Sequence, residues 1–263
     1  MQYPKISVVT VCRNVLNALQ YTLQATWQQQ YPDVEVIVVD GASTDGTVPW
    51  LQSQQHRPMR WVSEPDRGIY DAMNKGTRMA TGQYVIFMNA GDCFASPTVL
   101  QSLFGSGQSE GSAQPSTQTP GASGASSSVP DVIYGAVAKR DRAGRLQVHP
   151  AQPARNSHRM FFCHQCAFTR RELLLAHPFD IGHPMSADFK FFKQLLHEGC
   201  SFRRSDVAVA LFDTNGVSNR RRADGLWDNV AVVREVDGFC DRLRLLPRLY
   251  FQILMCHLRP SRR

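Results

Sequence analysis

Apolar runs alternate with amphipathic stretches along the N-terminal half of the chain. Residues 5–11 (KISVVTV) and 34–39 (VEVIVV) are continuously apolar, as expected of strands that are covered on both faces. The same pattern predicts these further elements: strands at 60–62 and 84–88, and helices at about 17–30, after 47 and at 69–80. Regular alternation of strand and helix indicates an α/β fold with a doubly wound, mostly parallel sheet.

The composition changes sharply between residues 105 and 130. This segment is rich in Gly, Ser, Ala, Gln, Thr and Pro, contains no aromatic residue, and has Glu110 as its one charged residue. Because it offers little apolar surface to offset its ordering entropy, we predict a disordered surface insertion, with a partner-binding segment as the alternative. A short helix at 97–104 and a strand at 131–138 flank it, so we assign residues 1–218 to one domain.

The basic excess of the chain is concentrated at its C-terminus. The formal net charge of the 263 residues is +7, and residues 239–263 contain six arginines and one aspartate, which gives 6 − 1 = +5. No zinc-finger spacing or aromatic-basic motif favours a nucleic acid, so membrane surfaces and phosphorylated substrates remain as partners. We predict a basic helical extension over residues 219–263.

Hydrophobic content and cysteine usage limit the class of protein. With 43% hydrophobic and 10% aromatic residues, the chain has enough apolar material for a sizeable core. Its first residues lack the features of a signal peptide, and seven cysteines in apolar contexts suit reduced thiols, so we expect a cytoplasmic protein. Cys163 and Cys166 form a single CxxC pair, which by itself is a weak zinc signal.

Acidic and amide residues follow three predicted strands. Asp40, residues 64–66 and residues 89–92 all come directly after an apolar run. The carboxyl ends of parallel strands share one edge of the sheet, and ligands of such folds bind there. The sequence therefore predicts a binding site at this edge.

Two motifs at these strand ends resemble a known family. Residues 40–47 (DGASTDGT) and 63–92 (SEPDRGIYDAMNKGTRMATGQYVIFMNAGD) are similar to the nucleotide-sugar half of GT-A glycosyltransferases, specifically the inverting family 2. The resemblance covers most of residues 5–218, and similar proteins build bacterial exopolysaccharides such as colanic acid. It implies a GT-A fold, a nucleoside-diphosphate sugar as donor, Mg²⁺ or Mn²⁺ as cofactor, and a polyprenyl-diphosphate-linked glycan as acceptor.

The resemblance assigns the donor site to residues of these motifs. Asp40 and Asp66 are expected to accept hydrogen bonds from the base and ribose, and Arg67 and Asp71 to lie near the nucleotide or sugar. For Asp40 a turn cap is the alternative, and for Arg67 it is a surface ion pair. We predict Asp45 as a cap.

The same comparison makes Asp92 the predicted metal ligand. A hard divalent cation commonly uses one or two carboxylates plus substrate phosphates. The family pattern is Asp-x-Asp, whereas Asn89-Ala90-Gly91-Asp92 keeps only the last acid. Asn89 is expected to bind the donor, and an N-cap of the following helix is the alternative role for Asp92.

Three further residues are expected on the acceptor side. Asp188 opens a predicted helix that extends to residue 196, and similar proteins place a carboxylate there as the catalytic base. A plain helix cap is the alternative role, and it is compatible with the first. His164 and Gln165 resemble a His-Gln pair that contacts acceptor or sugar, with a core histidine as the alternative.

The C-terminal part of the sequence suggests contact with phosphates and lipid. Ser218, Arg220 and Arg221 resemble a loop that closes over the diphosphate, and a solvated charge run is the alternative. Residues 243–258 are too short and interrupted to span a bilayer. They are expected to lie peripherally on the cytoplasmic face of the inner membrane or to pack against protein.

Two other functional classes remain compatible with parts of the sequence. A nucleotidyltransferase normally has a Gly- and Arg-rich phosphate loop after the first strand, which residues 10–14 match poorly. A catalytically inactive protein that binds a sugar nucleotide or acts as a scaffold is the stronger alternative, because Asn89 and Gly91 stand where acids are usual.

Overall fold

The computed structural model describes residues 3–105, 129–140, 144–212 and 222–258 of the chain. The strands in these ranges are β1 (Ile6–Cys12), β2 (Val34–Asp40), β3 (Arg60–Ser63), β4 (Tyr84–Phe87), β5 (Cys93–Phe94), β6 (Val132–Arg140), β7 (Leu146–His149), β8 (Ala167–Arg170) and β9 (Phe202–Phe212). The helices are α1 (Leu16–Trp27), α2 (Thr47–Ser53), α3 (Ile69–Met79), α4 (Val99–Phe104), α5 (Arg171–Ala176), α6 (Ala187–His197), α7 (Arg222–Val236) and α8 (Phe239–Leu258). The predicted insertion at 105–130 falls almost entirely outside the described residues.

The described strands form one sheet in the order β3-β2-β1-β4-β8-β6-β9-β5, with β7 paired to β6. Strands β3, β2, β1 and β4 are mutually parallel, and β6 and β9 are parallel to each other. Strand β8 runs antiparallel to its neighbours β4 and β6. This arrangement confirms the predicted α/β fold with a mostly parallel sheet.

Burial explains why the first strands read as continuous apolar runs. Every residue of β1 is buried, because helices cover both faces of the sheet at its centre. Helix α3 packs especially closely on β1 and β2. A Cβ added to Gly76 would lie 2.3 Å from Cγ1 of Val9, so glycine permits this approach. The close packing fixes the N-terminal turn of α3 at the edge where the strands end.

The two C-terminal helices pack on α6. Leu226 and Val233 of α7 and Leu249 of α8 share a buried cluster with Phe189 of α6. Within the described part of the chain, no helix is long and apolar enough to cross a membrane. The helical character of residues 222–258 agrees with the predicted extension, whereas its treatment as a separate unit stays a prediction.

A buried ion pair connects α6 to the turn between α7 and α8. The ammonium of Lys193 lies 2.8 Å from Oδ1 of Asp237, and the two side chains are 2% and 0% exposed. Burial lowers the pKa of Lys193, although the charge of Asp237 opposes this shift. Asn156 and His197 also hydrogen-bond to Asp237. The pair therefore couples the C-terminal helices to the sheet domain.

Replacing Lys193 with alanine is expected to lower the free energy of unfolding by about 3–5 kcal/mol, because it leaves Asp237 charged, buried and without its cation. Urea denaturation measures this change. The matched control is Arg244→Ala, since Arg244 pairs with Asp241 at 2.7 Å while remaining 52% exposed. The control is expected to cost less than about 1 kcal/mol. Equal losses in the two variants would contradict a structural role for the buried pair.

Candidate functional site

A cavity of about 530 Å³ opens at the carboxyl edge of the parallel strands. Five of the residues singled out from the sequence line it together: Asp66, Asn89, Asp92, His164 and Gln165. They come from the ends of β3 and β4 and from a 3₁₀ helix, His164–Cys166, that precedes β8. Backbone topology thus collects into one cavity groups that lie up to 99 residues apart in the chain, as 165 − 66 = 99.

Asp92 is held in the cavity wall by a tight turn. Gly91 adopts a φ of 105°, and its N–H donates to Oγ1 of Thr22, which in turn donates to the carbonyl of Asp92. The Asp92 side chain is buried, and Nε2 of Gln165 donates to its Oδ2 at 3.0 Å. The turn and the amide together fix the position of this carboxylate.

The groups around Asp92 suit a hard cation. Oδ1 of Asn89 is buried and has no hydrogen-bond partner among the described residues, and Asn89 is one of the residues that line the cavity. Carboxylate and amide oxygens are donors of the type that Mg²⁺ and Mn²⁺ prefer. The residues present therefore fit a hard divalent ion, and Asp92 as its ligand stays a prediction.

Asp40 organises the loop that follows β2. Its carboxylate is completely buried and accepts hydrogen bonds from the N–H of Ser43 at 2.9 Å and from Oγ of Ser63 at 2.6 Å. These bonds match the turn cap that was the alternative, and Asp40 does not line the cavity. Its contact with a donor stays a prediction. Asp45 accepts from the N–H groups of Leu16 and Thr47, which confirms it as a cap of α1 and α2.

Asp66 reaches the cavity from the loop before α3. Oδ1 of Asp66 accepts from the N–H of Gly68 at 2.9 Å, and Oδ2 lies so close to Gly41 that a Cβ there would be 2.3 Å away. Asp66 therefore sits beside the loop that Asp40 organises. Bringing these two loops together leaves one carboxylate buried and the other facing the cavity.

Arg67 and Asp71 are directed toward each other rather than into the cavity. The carboxylate of Asp71 accepts from the backbone N–H of Arg67 at 3.0 Å, and this bond, together with Lys75 and Arg67, lowers its pKa despite partial burial. The Arg67 guanidinium is 74% exposed and lies 3.6 Å from Asp71. The ion pair proposed as the alternative for Arg67 is present, and the contact of these two residues with a donor stays a prediction.

Asp188 lies in the first turn of α6 and contacts two residues that line the cavity, His164 and Tyr70. Its Oδ2 is 3.1 Å from Nδ1 of His164, and its Oδ1 accepts from the hydroxyl of Tyr70 at 2.8 Å. The Asp188 side chain is 13% exposed. Nε2 of His164 lies on the other side of the ring, 3.4 Å from Nδ2 of Asn89. The imidazole thus connects the carboxylate on α6 with the residues around Asp92.

The neighbouring His164 favours the ionised form of Asp188. Burial acts to raise its pKa, but the hydrogen bond and charge of His164 outweigh burial and lower the pKa below its ordinary value. For His164, burial acts to lower the pKa, and Asp188 outweighs it so that the net shift is upward. Burial and the nearby carboxylate raise the pKa of Tyr70, which therefore remains a hydroxyl donor. Beside the cavity, a half-buried anion is therefore held between two donors, His164 and Tyr70.

A second ionic cluster, which the sequence analysis did not identify, lies beside the cavity. Ligand atoms of Asp180, His183 and Glu235 lie within 4.8 Å of one another, close enough to hold a metal ion. The ammonium of Lys190 already contacts Asp180 at 2.6 Å and also Glu235, so both acids have a cationic partner within the protein. Glu235 is 52 residues from His183, as 235 − 183 = 52, and no local motif connects them.

The predicted loop residues Ser218, Arg220 and Arg221 lie outside the described residues.

Comparison with known proteins places this chain in a family. An uncharacterized glycosyltransferase of Mycobacterium tuberculosis is 40% identical over 98 residues, which is 37% of each chain. The PGL/p-HBAD biosynthesis glycosyltransferase of Mycobacterium bovis BCG is 29% identical over 206 residues, covering 73% of this chain and 69% of the relative. The chain thus matches little more than a third of the length of the first relative.

A solved structure with the same fold supports the assignment. The mannosyltransferase PcManGT of Pyrobaculum calidifontis, in complex with GDP-Man and Mn²⁺, superposes with a TM-score of 0.60 at 20% identity, covering 90% of this chain and 66% of that one. The fold is accordingly the GT-A fold of glycosyltransferases. The family model described as "Glycosyl transferase family 2" matches residues 7–176, well over half of the sequence. On these grounds, the chain belongs to glycosyl transferase family 2.

Proposed function

We propose that this protein transfers a sugar from a nucleoside-diphosphate sugar to a hydroxyl group of an acceptor, with inversion at the anomeric carbon. The observation that carries the proposal is the cavity itself. Its wall combines Asp92 and Asn89 with His164, and the half-buried carboxylate of Asp188 contacts His164 from behind that wall. One group of residues suits a diphosphate with its cation, and the other suits an acceptor hydroxyl.

The donor is proposed to bind along the strand ends. Asp66, which lines the cavity, is proposed to accept hydrogen bonds from ribose or base, and Asp40 supports the adjoining loop. Arg67 and Asp71 are proposed to lie at the rim, near the nucleotide. Asp92 would hold Mg²⁺ or Mn²⁺, and such an ion, when bound, neutralises the charge of the departing diphosphate. PcManGT was solved with GDP-Man and Mn²⁺, which supports this class of donor and cofactor.

Asp188 is proposed as the catalytic base. As the acceptor oxygen forms its bond to the anomeric carbon, the bond from that carbon to the diphosphate oxygen breaks and its electron pair leaves on the diphosphate. The acceptor proton passes to the carboxylate of Asp188. His164 and Tyr70 hold this carboxylate in one orientation, which removes the need to reorganise it during the reaction.

The acceptor is proposed to be a glycan linked to polyprenyl diphosphate, in the synthesis of a surface polysaccharide. The relative named as a PGL/p-HBAD biosynthesis glycosyltransferase supports a biosynthetic role. Gln165, which bonds to Asp92, and His164 would contact the acceptor or the donor sugar. Ser218, Arg220 and Arg221 are proposed to close over the diphosphate. We place the reaction at the cytoplasmic side of the inner membrane.

One observation favours an alternative. Asn89 and Gly91 stand where the family commonly has acids, so the site offers a cation fewer charges than usual. A protein that binds a sugar nucleotide without turnover is consistent with this departure. Such a protein would act as a binding or scaffold component.

Calorimetric titration of the full chain with UDP, GDP, CDP and dTDP, each with and without Mn²⁺, tests the proposal. We expect one nucleotide to bind in a Mn²⁺-dependent manner, because Asp92 contributes a single carboxylate and the phosphates must supply further ligands. Binding followed by hydrolysis or transfer of the matching sugar supports an enzyme. Binding without turnover supports the alternative. If the folded protein binds none of the four nucleotides, the assignment of the donor site is wrong.

A further inference from the structure

Helix α8 carries large apolar side chains on two opposite faces. On one face, Leu245, Leu249 and Ile253 are at most 5% exposed and pack into the cluster shared with α7. An α-helix turns by about 100° per residue, and on this spacing a second set of apolar side chains lies on the opposite face of α8. Its members are exposed by 37–74% of their surface: Phe239, Leu243, Phe251, Leu254, Met255 and Leu258. We call this set the outer stripe.

The outer stripe is too large to be ordinary surface variation. Single exposed apolar residues are common on soluble proteins, but six large ones on the same side of one helix usually mark a contact site. No described segment of the chain packs over it, as the exposures show. The buried face already stabilises the helix, so the outer stripe is available for a partner.

Positive charge borders the outer stripe. Arg244 and Arg248 are exposed, lie one helical turn apart, and place their charges along one edge of the stripe. Arg259, Arg262 and Arg263 follow in the sequence, and Asp241 is the one acidic residue after position 238. Asp241 is paired with Arg244. The surface is therefore apolar at its centre and cationic at its edge.

We propose that α8 docks on an anionic lipid surface, with the outer stripe among the lipid chains near the headgroups and the arginines on the headgroup phosphates. An apolar face with basic residues beside it is the arrangement by which interfacial helices bind membranes. A second copy of this chain fits less well, because a self-complementary contact through α8 would bring the arginines of both copies together, and the one acid of the segment, Asp241, already pairs with Arg244. The proposal extends the proposed function, on which it rests for the lipid-linked acceptor.

Sedimentation of the full chain with vesicles tests this inference without any measurement of activity. We expect binding to vesicles of phosphatidylcholine with phosphatidylglycerol, with affinity for phosphatidylcholine alone lower by on the order of 10-fold or more. Replacing Phe251 and Leu254 by serine should lower binding to the anionic vesicles by at least about 10-fold, because two large apolar side chains no longer enter the lipid. Arg244→Gln with Arg248→Gln should lower it to a similar extent and reduce its salt dependence.

Matched controls separate this surface from general hydrophobicity. Leu146 and Val148 on β7 are each 57% exposed, so the Leu146→Ser, Val148→Ser variant removes comparable apolar surface elsewhere and should keep vesicle binding. Light scattering reports the oligomeric state of every variant. The proposal is wrong if the unaltered chain does not bind vesicles but forms a dimer that the Phe251 and Leu254 substitutions dissociate. That result would indicate self-association through the outer stripe. The nucleotide titration is independent of this result, so the two proposals fail separately.

Discussion

Replacing Asp188 with asparagine is expected to lower kcat by about 10²–10⁴-fold, the range typical of losing a general base, while nucleotide affinity stays unchanged. Asparagine keeps the shape of the side chain and still accepts the hydrogen bond from Tyr70, which the carboxylate receives at 2.8 Å. It cannot take up the acceptor proton. Steady-state kinetics with the donor identified by titration, together with calorimetric Kd values, measure both quantities.

The Tyr70→Phe variant is the matched control for this experiment. It removes one hydrogen bond from the same carboxylate and leaves the charge and the His164 contact in place. We expect its kcat to fall by less than about 10-fold, the equivalent of one hydrogen bond. If Asp188→Asn keeps the kcat of the unaltered protein, or loses nucleotide binding to the same extent as kcat, Asp188 is not the base.

Replacing Asp92 with asparagine is expected to abolish the Mn²⁺-dependent part of nucleotide binding. The substitution removes the charge that attracts the cation but preserves an oxygen that can accept from Gln165, so the fold of the turn should persist. Loss of a direct ligand should weaken binding in Mn²⁺ by at least about 10–100-fold, which is the loss commonly seen for an outer partner of a metal ligand. In the presence of EDTA the variant and the unaltered protein should bind the nucleotide equally.

Asp180→Asn distinguishes the two acidic sites of the molecule. Asp180 belongs to the separate cluster with His183, Glu235 and Lys190. If Asp92 holds the cation, Asp180→Asn leaves the effect of Mn²⁺ on nucleotide affinity unchanged. The opposite result, with Mn²⁺ dependence lost in Asp180→Asn and kept in Asp92→Asn, would move the metal to the second cluster.

Local patterns in the sequence were sufficient to predict the strands in the parallel half of the sheet. The predicted ends of strands β1, β2 and β4 differ from the observed ends by no more than one residue. A strand that is covered on both faces is apolar throughout, so it produces a continuous apolar run in the sequence. The strands after residue 160 were not assigned. Strand β8 has four residues and β9 contains charged positions, so neither produces such a run.

The sequence by itself determined the α/β architecture and the kinds of residue at the strand ends, since periodicity and turn chemistry are local properties of the chain. Tertiary structure alone decided which of those residues share a cavity. Asp40 and Asp66 look equivalent in sequence, yet Ser43 and Ser63 bury the first while the second faces the cavity. The contact of His164 with Asp188 likewise depends on packing between distant segments, because no local rule specifies a 3.1 Å approach across 24 residues, from 164 to 188.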